Sequence, residues 1–161
     1  MNLRRADKAD AEAIRHIYNI EVIGSTATLD LVPRTAEEQA SWMVAHSGVY
    51  PVIVADDDGR VVGFASLSPY RPRPGYATAV EDSIYVAEPS RGQGVGRALL
   101  NEAVVTARTH GFHSVIARVG AAQAASVALH QACGFDFVGV EREIGRKFGR
   151  WIDVAILQRL L

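Results

Sequence analysis

One glycine-rich segment, which follows an apolar strand-like run and opens an amphipathic one, restricts the possible folds of this chain more than any other feature. The segment consists of Arg91, Gly92, Gln93, Gly94, Val95, Gly96 and Arg97. Its three glycines let a ligand approach the backbone closely, and the free N–H groups of a helix start attract an anion such as a phosphate. The pattern therefore predicts a phosphate-binding strand-to-helix turn, with a purely structural turn as the alternative.

Two common phosphate-binding folds do not account for this segment. A P-loop would continue with Gly-Lys-Ser/Thr, which does not occur here. A dinucleotide-binding unit would place the segment in a βαβ crossover. Residues 51–55 and 61–67 are instead β-branched and apolar around the turn residues 56–59, which predicts an antiparallel hairpin.

Hydrophobic periodicity along the whole chain predicts one mixed α/β domain over residues 1–161, with the element order βααβββαβαββ. Capping residues mark the first two helices, and glycine or proline separates most later elements. The predicted elements are strands at residues 2–5, 51–55, 61–67, 76–86 and 113–119, helices after Asp7, Thr35, Gly94 and Gln123, and two strands after Phe135.

Composition narrows the function classes. Seventeen Lys and Arg against eighteen Asp and Glu give a net charge of -1, so no global basic field attracts nucleic acid or an anionic membrane. No apolar run is long enough for a membrane span or a secretory signal, and the single cysteine, Cys133, cannot form an internal disulfide. We expect a soluble cytoplasmic protein without metal, since no His, Cys and carboxylate cluster has ligand spacing.

The pattern Arg91-x-x-Gly94-x-Gly96 resembles the hallmark of the GNAT superfamily of N-acetyltransferases, Gln/Arg-x-x-Gly-x-Gly/Ala. Several further segments look like its phosphinothricin and methionine sulfoximine acetyltransferase subfamily. These segments are Ile17–Asn19, Ser25–Thr28, Pro51–Ala55, Leu129–His130, Gly134–Phe135 and Lys147–Asp153. The resemblance covers nearly the whole chain and implies the GNAT fold, with a mixed, mostly antiparallel central sheet flanked by helices.

The resemblance also implies a binding site for acetyl-CoA as co-substrate. In that family the amides of the glycine loop hold the CoA pyrophosphate, and the strand residues corresponding to Ile84, Tyr85 and Val86 splay and pair with the pantetheine arm. The family motif Asn-x-x-Ala-x-x-Leu-Tyr is similar to the run from Gln123 through Ser126 to His130. Glutamine replaces the usual asparagine at position 123, which lengthens the amide by one methylene.

Acetyl transfer needs a base for the ammonium proton and an acid for the departing thiolate. Strand alternation places Glu81 and Asp82 on opposite faces and leaves both as candidate bases. The subfamily resemblance favours Glu81, acting through a water. His130 stands where the wider family has tyrosine and is the predicted acid, with a hydrogen-bonded structural histidine as the alternative. Cys133 is interpreted as a small buried residue, which favours direct transfer in a ternary complex.

A proline-stiffened loop before the Glu81 strand is the predicted acceptor site. The side chains of Arg71 and Arg73 can each bind a carboxylate with two hydrogen bonds, which suits an amino-acid substrate. The alternative is that both are exposed loop arginines without a binding role. The subfamily resemblance adds the segment 74–76 and, less firmly, Lys147 and Trp151. The predicted substrate-binding residues are Arg71, Arg73, Pro74, Gly75 and Tyr76.

The sequence thus predicts an acetyl-CoA-dependent N-acetyltransferase for a small amino-acid-like amine, of the phosphinothricin, methionine sulfoximine or methionine sulfone type. A protein N-terminus or lysine is the alternative acceptor. A non-catalytic acyl-CoA-binding sensor is a second alternative, which would leave Glu81 and His130 without a role. A homodimer is implied by the subfamily resemblance alone.

Overall fold

The computed structural model describes residues 1–120 and 123–161 of the chain. Its element order confirms the predicted βααβββαβαββ arrangement. The elements are β1 (Asn2–Arg5), α1 (Ala11–Gly24), α2 (Ala36–Ala45), β2 (Val52–Asp57), β3 (Arg60–Pro69), β4 (Ala79–Val86), α3 (Val95–Thr109), β5 (Ser114–Gly120), α4 (Ala124–Ala132), β6 (Asp136–Lys147) and β7 (Arg150–Leu160).

The strands form one seven-stranded sheet in the order β1-β2-β3-β4-β5-β7-β6. Neighbouring strands are antiparallel except for β4 and β5, which run parallel. The parallel ladder joins residues 79–82 of β4 to residues 114–117 of β5 and then stops, while residues 83–86 stay paired with β3. Within the described residues the two central strands therefore diverge in mid-sheet.

A hydrophobic core covers each face of the sheet, because alternate strand residues point to opposite sides. On one side α3 packs Leu99, Leu100 and Val104 against strand residues such as Val80. On the other side α1 packs Ile14, Ile17, Tyr18 and Val22 against a layer that contains Phe64 and Tyr85. The ring of Tyr85 stacks on Phe64, with centroids 5.3 Å apart, and meets the edge of Tyr18 at 5.1 Å.

Local turn chemistry determines where several strands begin and end. Asp58 and Gly59 close the β2–β3 hairpin with φ of 50° and 84°, and Phe148 and Gly149 close the β6–β7 hairpin with φ of 51° and 71°. Two positive φ angles in succession match the twist of a two-residue hairpin. The predicted strand start at Tyr76 is wrong, because Pro74–Tyr76 forms a 3-10 turn and β4 begins at Ala79.

Candidate active site

A cavity of about 500 Å³ lies where β4 and β5 diverge. Its lining contains Ile84 and Val86 from the α3 face and Tyr85 from the α1 face, so the cavity passes through the sheet. Most of the predicted cofactor-binding residues line this cavity, and only Gln93 and Val95 do not. The lining residues are Ile84, Tyr85, Val86, Arg91, Gly92, Gly94, Gly96, Arg97, Gln123 and Ser126. The strand divergence was predicted from the family resemblance, and the structure contains it.

The glycine segment forms one end of this cavity. Gly92 and Gly94 have φ of 75° and 84°, a region that glycine adopts without steric cost, and Gly94 directly precedes α3. The first amides of α3 have no partner within their own helix, and the helix dipole adds partial positive charge there. Together with the Arg97 side chain, which also lines the cavity, this end suits a phosphate.

Two predicted cofactor residues have side chains outside the cavity lining. Gln93 is exposed, and its Nε2 donates a 2.8 Å hydrogen bond to the carbonyl oxygen of Pro89. Val95 is 5% exposed and packs into the core on the α3 face. Neither side chain therefore contributes to the cavity wall.

Arg91 connects the glycine loop to α1. Its guanidinium donates to the carboxylate of Glu21 and, from Nε, to the carbonyl oxygen of Val86 at 3.0 Å. Glu21 is buried and accepts a 2.6 Å hydrogen bond from Ser25 as well. Glu21 was not predicted from the sequence, although a carboxylate on the apolar stripe of a helix indicates a buried partner. Arg91 thus positions the loop in addition to lining the cavity.

His130 and Asp82 form a buried pair on the α3 face of the cavity. Nε2 of His130 lies 3.0 Å from Oδ2 of Asp82, and Nδ1 lies 2.7 Å from the carbonyl oxygen of Ser126. Burial disfavours a charged imidazole, but the hydrogen bond and charge of Asp82, with the Ser126 carbonyl, outweigh it, so the pKa of His130 is raised. Both side chains line the cavity.

Glu81 lies on the opposite face of β4 from Asp82 and does not line the cavity. The side chain is half-buried. Desolvation raises its pKa above the usual value, although the charges of Arg118 and Arg71 act in the other direction. Arg118 lines the cavity and pairs with Glu141 at 2.6 Å. A carboxylate with a raised pKa beside a cavity is a candidate proton acceptor.

The predicted acceptor loop is exposed throughout, and none of its residues lines the cavity. The ring of Tyr76 meets Tyr70 edge-on at 5.6 Å, and the guanidinium of Arg71 lies 5.1 Å from the Tyr70 centroid. Arg71 is near enough to influence Glu81 electrostatically. Within this turn the N–H of Tyr76 donates a 2.9 Å hydrogen bond to the carbonyl oxygen of Arg73, and no hydrogen bond of the described chain joins the loop to Glu81 or His130.

Comparison with known proteins decides the family of this chain. Residues 12–135 match the acetyltransferase (GNAT) family. The chain belongs to the GNAT acetyltransferases. The family, fold and enzyme class predicted from sequence are thereby confirmed.

Three relatives of this GNAT chain are informative. It is 38% identical to the L-methionine sulfoximine/L-methionine sulfone acetyltransferase of Pseudomonas aeruginosa over 98% of its own length and 92% of that protein. A ribosomal-protein-alanine N-acetyltransferase structure from Brucella melitensis has a TM-score of 0.98 at 39% identity, with full coverage of both chains. A phosphinothricin acetyltransferase structure from Sinorhizobium meliloti, in complex with acetyl-CoA, has a TM-score of 0.95 at 41% identity, covering 99% of this chain and 88% of that one.

The loop between α1 and α2 forms a further wall of the GNAT cavity. Ala27 lines the cavity, and Thr26 Oγ1 accepts a 3.3 Å hydrogen bond from the Gln123 amide. The buried ammonium of Lys147 donates to the carbonyl oxygen of Thr28 at 2.8 Å. The longer reach of glutamine at position 123 therefore meets a partner within the protein. Trp151, the other tail candidate, is exposed.

Across residues 1–120 and 123–161, no three His, Cys, Asp or Glu side chains form a group that could hold a metal ion. Over the same residues, every helix falls short of the length and apolarity that crossing a bilayer requires.

Proposed function

We propose that this protein transfers the acetyl group of acetyl-CoA to the amine of a small amino-acid-like substrate, of the phosphinothricin, methionine sulfoximine or methionine sulfone type. One observation carries the proposal: a single cavity runs from an anion-binding helix start, through the gap between β4 and β5, to ionisable groups beside the sheet. The Pseudomonas and Sinorhizobium relatives, which are named for such substrates, support the substrate class.

The residues of the cavity fit acetyl-CoA. The amides after Gly92 and Gly94 and the side chain of Arg97 would hold the pyrophosphate, because they combine close backbone approach with positive charge. The side of residues 84–86 that faces away from β3 has no β5 partner in the described chain, so it would pair with an extended arm, with the carbonyl oxygen of Val86 already accepting from Arg91. When bound, acetyl-CoA supplies the activated acetyl group.

Glu81 and His130 divide the proton transfers between the two faces of the sheet. Glu81 takes the ammonium proton, through a water, because its desolvated carboxylate has a raised pKa and makes no side-chain hydrogen bond among the described residues. The acceptor nitrogen then bonds to the acetyl carbon as the carbon–sulfur bond breaks, the second surplus proton of the nitrogen passes to solvent, and His130 gives a proton to the leaving sulfur. For each amide formed, one proton ends on sulfur and one is released to solvent.

Arg71 and Arg73 are the proposed recognition groups for the acceptor carboxylate. Arg71 acts electrostatically on Glu81, so a carboxylate held by Arg71 would lie near the proposed proton acceptor. Pro74, Gly75 and Tyr76 form the short turn that follows these arginines and would shape the entrance.

A protein N-terminus is the second candidate acceptor, and the Brucella relative named for ribosomal-protein alanine favours it. A free-thiol release assay with acetyl-CoA separates the two candidates. The acceptor panel contains phosphinothricin, methionine sulfoximine, methionine sulfone, common amino acids and peptides that begin with alanine. We expect thiol release with the sulfoximine-type compounds; preference for peptides would favour the second candidate. Tight acetyl-CoA binding without any thiol release would instead indicate a sensor.

We propose further that the protein is a homodimer. The edge strand β6 and its neighbour β7 carry exposed apolar side chains, among them Phe137, Val138, Val140, Ile144 and Trp151. An exposed apolar edge strand favours pairing with a second copy. Light scattering coupled to size-exclusion chromatography should give twice the chain mass, and a single chain mass would contradict the proposal.

We also propose the cytoplasm as the compartment. Cys133 is the single cysteine of the chain and is a buried free thiol, which suits a reducing environment. Cell fractionation of the producing organism tests this, and recovery in an extracytoplasmic fraction would contradict it.

A further inference from the structure

Both ring nitrogens of His130 face hydrogen-bond acceptors. Nδ1 lies 2.7 Å from the carbonyl oxygen of Ser126, one turn earlier in α4, and Nε2 lies 3.0 Å from Oδ2 of Asp82 in β4. A carbonyl oxygen only accepts, so Nδ1 must carry a hydrogen. The contact with Asp82 needs a second hydrogen, carried either by Nε2 or by the carboxyl oxygen.

A neutral imidazole beside an ionised carboxylate has one hydrogen too few for these two contacts. One of the two close approaches would then set lone pair against lone pair. The side chains of His130 and Asp82 are only 4% and 1% exposed, so solvent offers little compensation. Leaving a buried polar contact unsatisfied is costly, and the low local dielectric increases the cost.

We infer that Asp82 is a positioning residue for His130, and that the two side chains together hold one extra proton at neutral pH that His130 delivers to the leaving sulfur. The delivery rests on the proposed function, whereas the presence of the proton does not. After delivery, one contact of the pair lacks its hydrogen. That state is disfavoured, so the pair regains a proton from solvent and is ready for the next acetyl transfer.

The surroundings of the pair support this assignment. Phe135 presents its ring edge-on to the imidazole, with centroids 5.1 Å apart, and supplies no charge. The charges of Arg97 on α3 and Arg159 on β7 act on the neighbouring Cys133 thiol. Within the described residues, Asp82 is the charged side chain that acts on His130.

The charged groups near β4 and the cavity also support an extra proton on Asp82 and His130. Glu81 lies on the other face of β4, and the Arg118 on that face is paired with Glu141. Asp82 Oδ1 is buried and has no hydrogen-bond partner among the described residues. Because Asp82 and His130 both line the cavity, the proton is held next to the space where a bound ligand would lie.

Isotope-edited NMR of the ligand-free protein tests the proton directly. We expect that at about pH 6 to 8 either both imidazole nitrogens of His130 are protonated or the Asp82 carboxyl carbon has the shift of a protonated acid. A singly protonated ring beside an ionised carboxylate at neutral pH would overturn the inference. This measurement does not depend on acetyl transfer, so it stands even if no acceptor is ever acetylated.

Asp82→Asn tests the role of the pair in turnover. The asparagine amide can donate to Nε2 of a neutral imidazole, so both contacts survive without the extra proton. We expect kcat to fall by about tenfold or more, with acetyl-CoA affinity unchanged and the alkaline limb of the pH profile shifted to lower pH. The matched control is Asp136→Asn, an exposed position at the start of β6.

A double variant distinguishes positioning from general structural support. In a His130→Gln background, Asp82→Asn should reduce kcat no further, because the partner through which it acts is gone. An equal loss in both backgrounds, or a wild-type pH profile for Asp82→Asn, would overturn the inference.

Discussion

Lys147 Nζ donates a 2.8 Å hydrogen bond to the carbonyl oxygen of Thr28 and so joins the β6–β7 hairpin to the loop after α1. The same ammonium lies 3.4 Å from the carbonyl oxygen of Glu21, near the end of α1. Lys147 is 3% exposed, and burial lowers its pKa. The cavity wall that contains Ala27 therefore depends on a side chain 119 residues beyond Thr28.

Replacement of the Lys147 ammonium should weaken the attachment of the loop after α1 to the β6–β7 hairpin. We expect Lys147→Met to lower the free energy of unfolding by about 2 kcal/mol, because two buried carbonyl oxygens lose a charged donor. The acceptor KM should rise as well. Urea unfolding and steady-state kinetics measure the two effects. The chain has one other lysine, the exposed Lys8, and Lys8→Met should change neither quantity.

Two glycines with the same backbone φ allow a controlled test of the proposed phosphate-binding role of the glycine segment. Gly94 and Gly59 both have φ of 84°, and neither has a neighbour within 4 Å of an added Cβ. Alanine at either position costs about 1 to 2 kcal/mol of stability. Only Gly94→Ala should also weaken acetyl-CoA binding, by about tenfold, since only Gly94 lines the cavity. Isothermal titration calorimetry measures the acetyl-CoA affinity of each variant. Equal affinities in both variants would contradict the proposed phosphate-binding role of the glycine segment.

Glu81→Gln removes the proposed proton acceptor while keeping its shape. We expect kcat to fall by about 100-fold, with the acetyl-CoA dissociation constant nearly unchanged. Asp57→Asn, on the exposed end of β2, is the control and should retain full turnover. Wild-type turnover in Glu81→Gln would show that another group takes the ammonium proton.

The same substitution should change how stability depends on pH. Since the folded state raises the pKa of Glu81, the folded protein binds more protons than the unfolded chain between the usual glutamate pKa and the raised value. The wild type therefore loses stability as pH rises through that window. Glu81→Gln removes this loss, and its stability relative to the wild type should be higher at about pH 7.5 than at about pH 4. Thermal unfolding at both pH values provides the comparison.

Arg71→Ala examines acceptor recognition separately from the chemistry. We expect the KM for an amino-acid acceptor to rise by about tenfold, because a carboxylate loses a charged donor, while the KM for acetyl-CoA stays the same. Arg60→Ala, at the exposed start of β3, is the matched control. If both variants behave alike, the loop arginines do not recognise the acceptor.

Direct transfer predicts that Cys133 is dispensable. The thiol is buried, and burial raises its pKa, which disfavours the reactive thiolate. Cys133→Ala should keep wild-type kcat and lose about 1 kcal/mol of stability from its core position. Mass spectrometry of the protein mixed with acetyl-CoA should show no acetylated Cys133; an acetylated thiol that turns over would contradict direct transfer.

Short-range sequence patterns were sufficient to predict much of the fold. The hairpin at Asp58 and Gly59, the capping box of Thr35 and Glu38, and the glycine turn before α3 all depend on residues within a few positions of one another. Their backbone preferences hold in almost any context. The main correction, at the start of β4, involves Pro74, where a short turn replaces the extended chain.

The amino-acid sequence by itself determined the order of the elements, the glycine turn before α3 and the family, because each follows from short-range patterns along the chain. Only the tertiary structure decided which side chains meet in the cavity. Asp82 reaches His130 across 48 residues, and Glu21 reaches Arg91 across 70. Strand alternation left Glu81 and Asp82 equivalent, and only the packing of α4 against one face of the sheet distinguished them. Such pairs depend on where helices cross the sheet, which no local preference encodes.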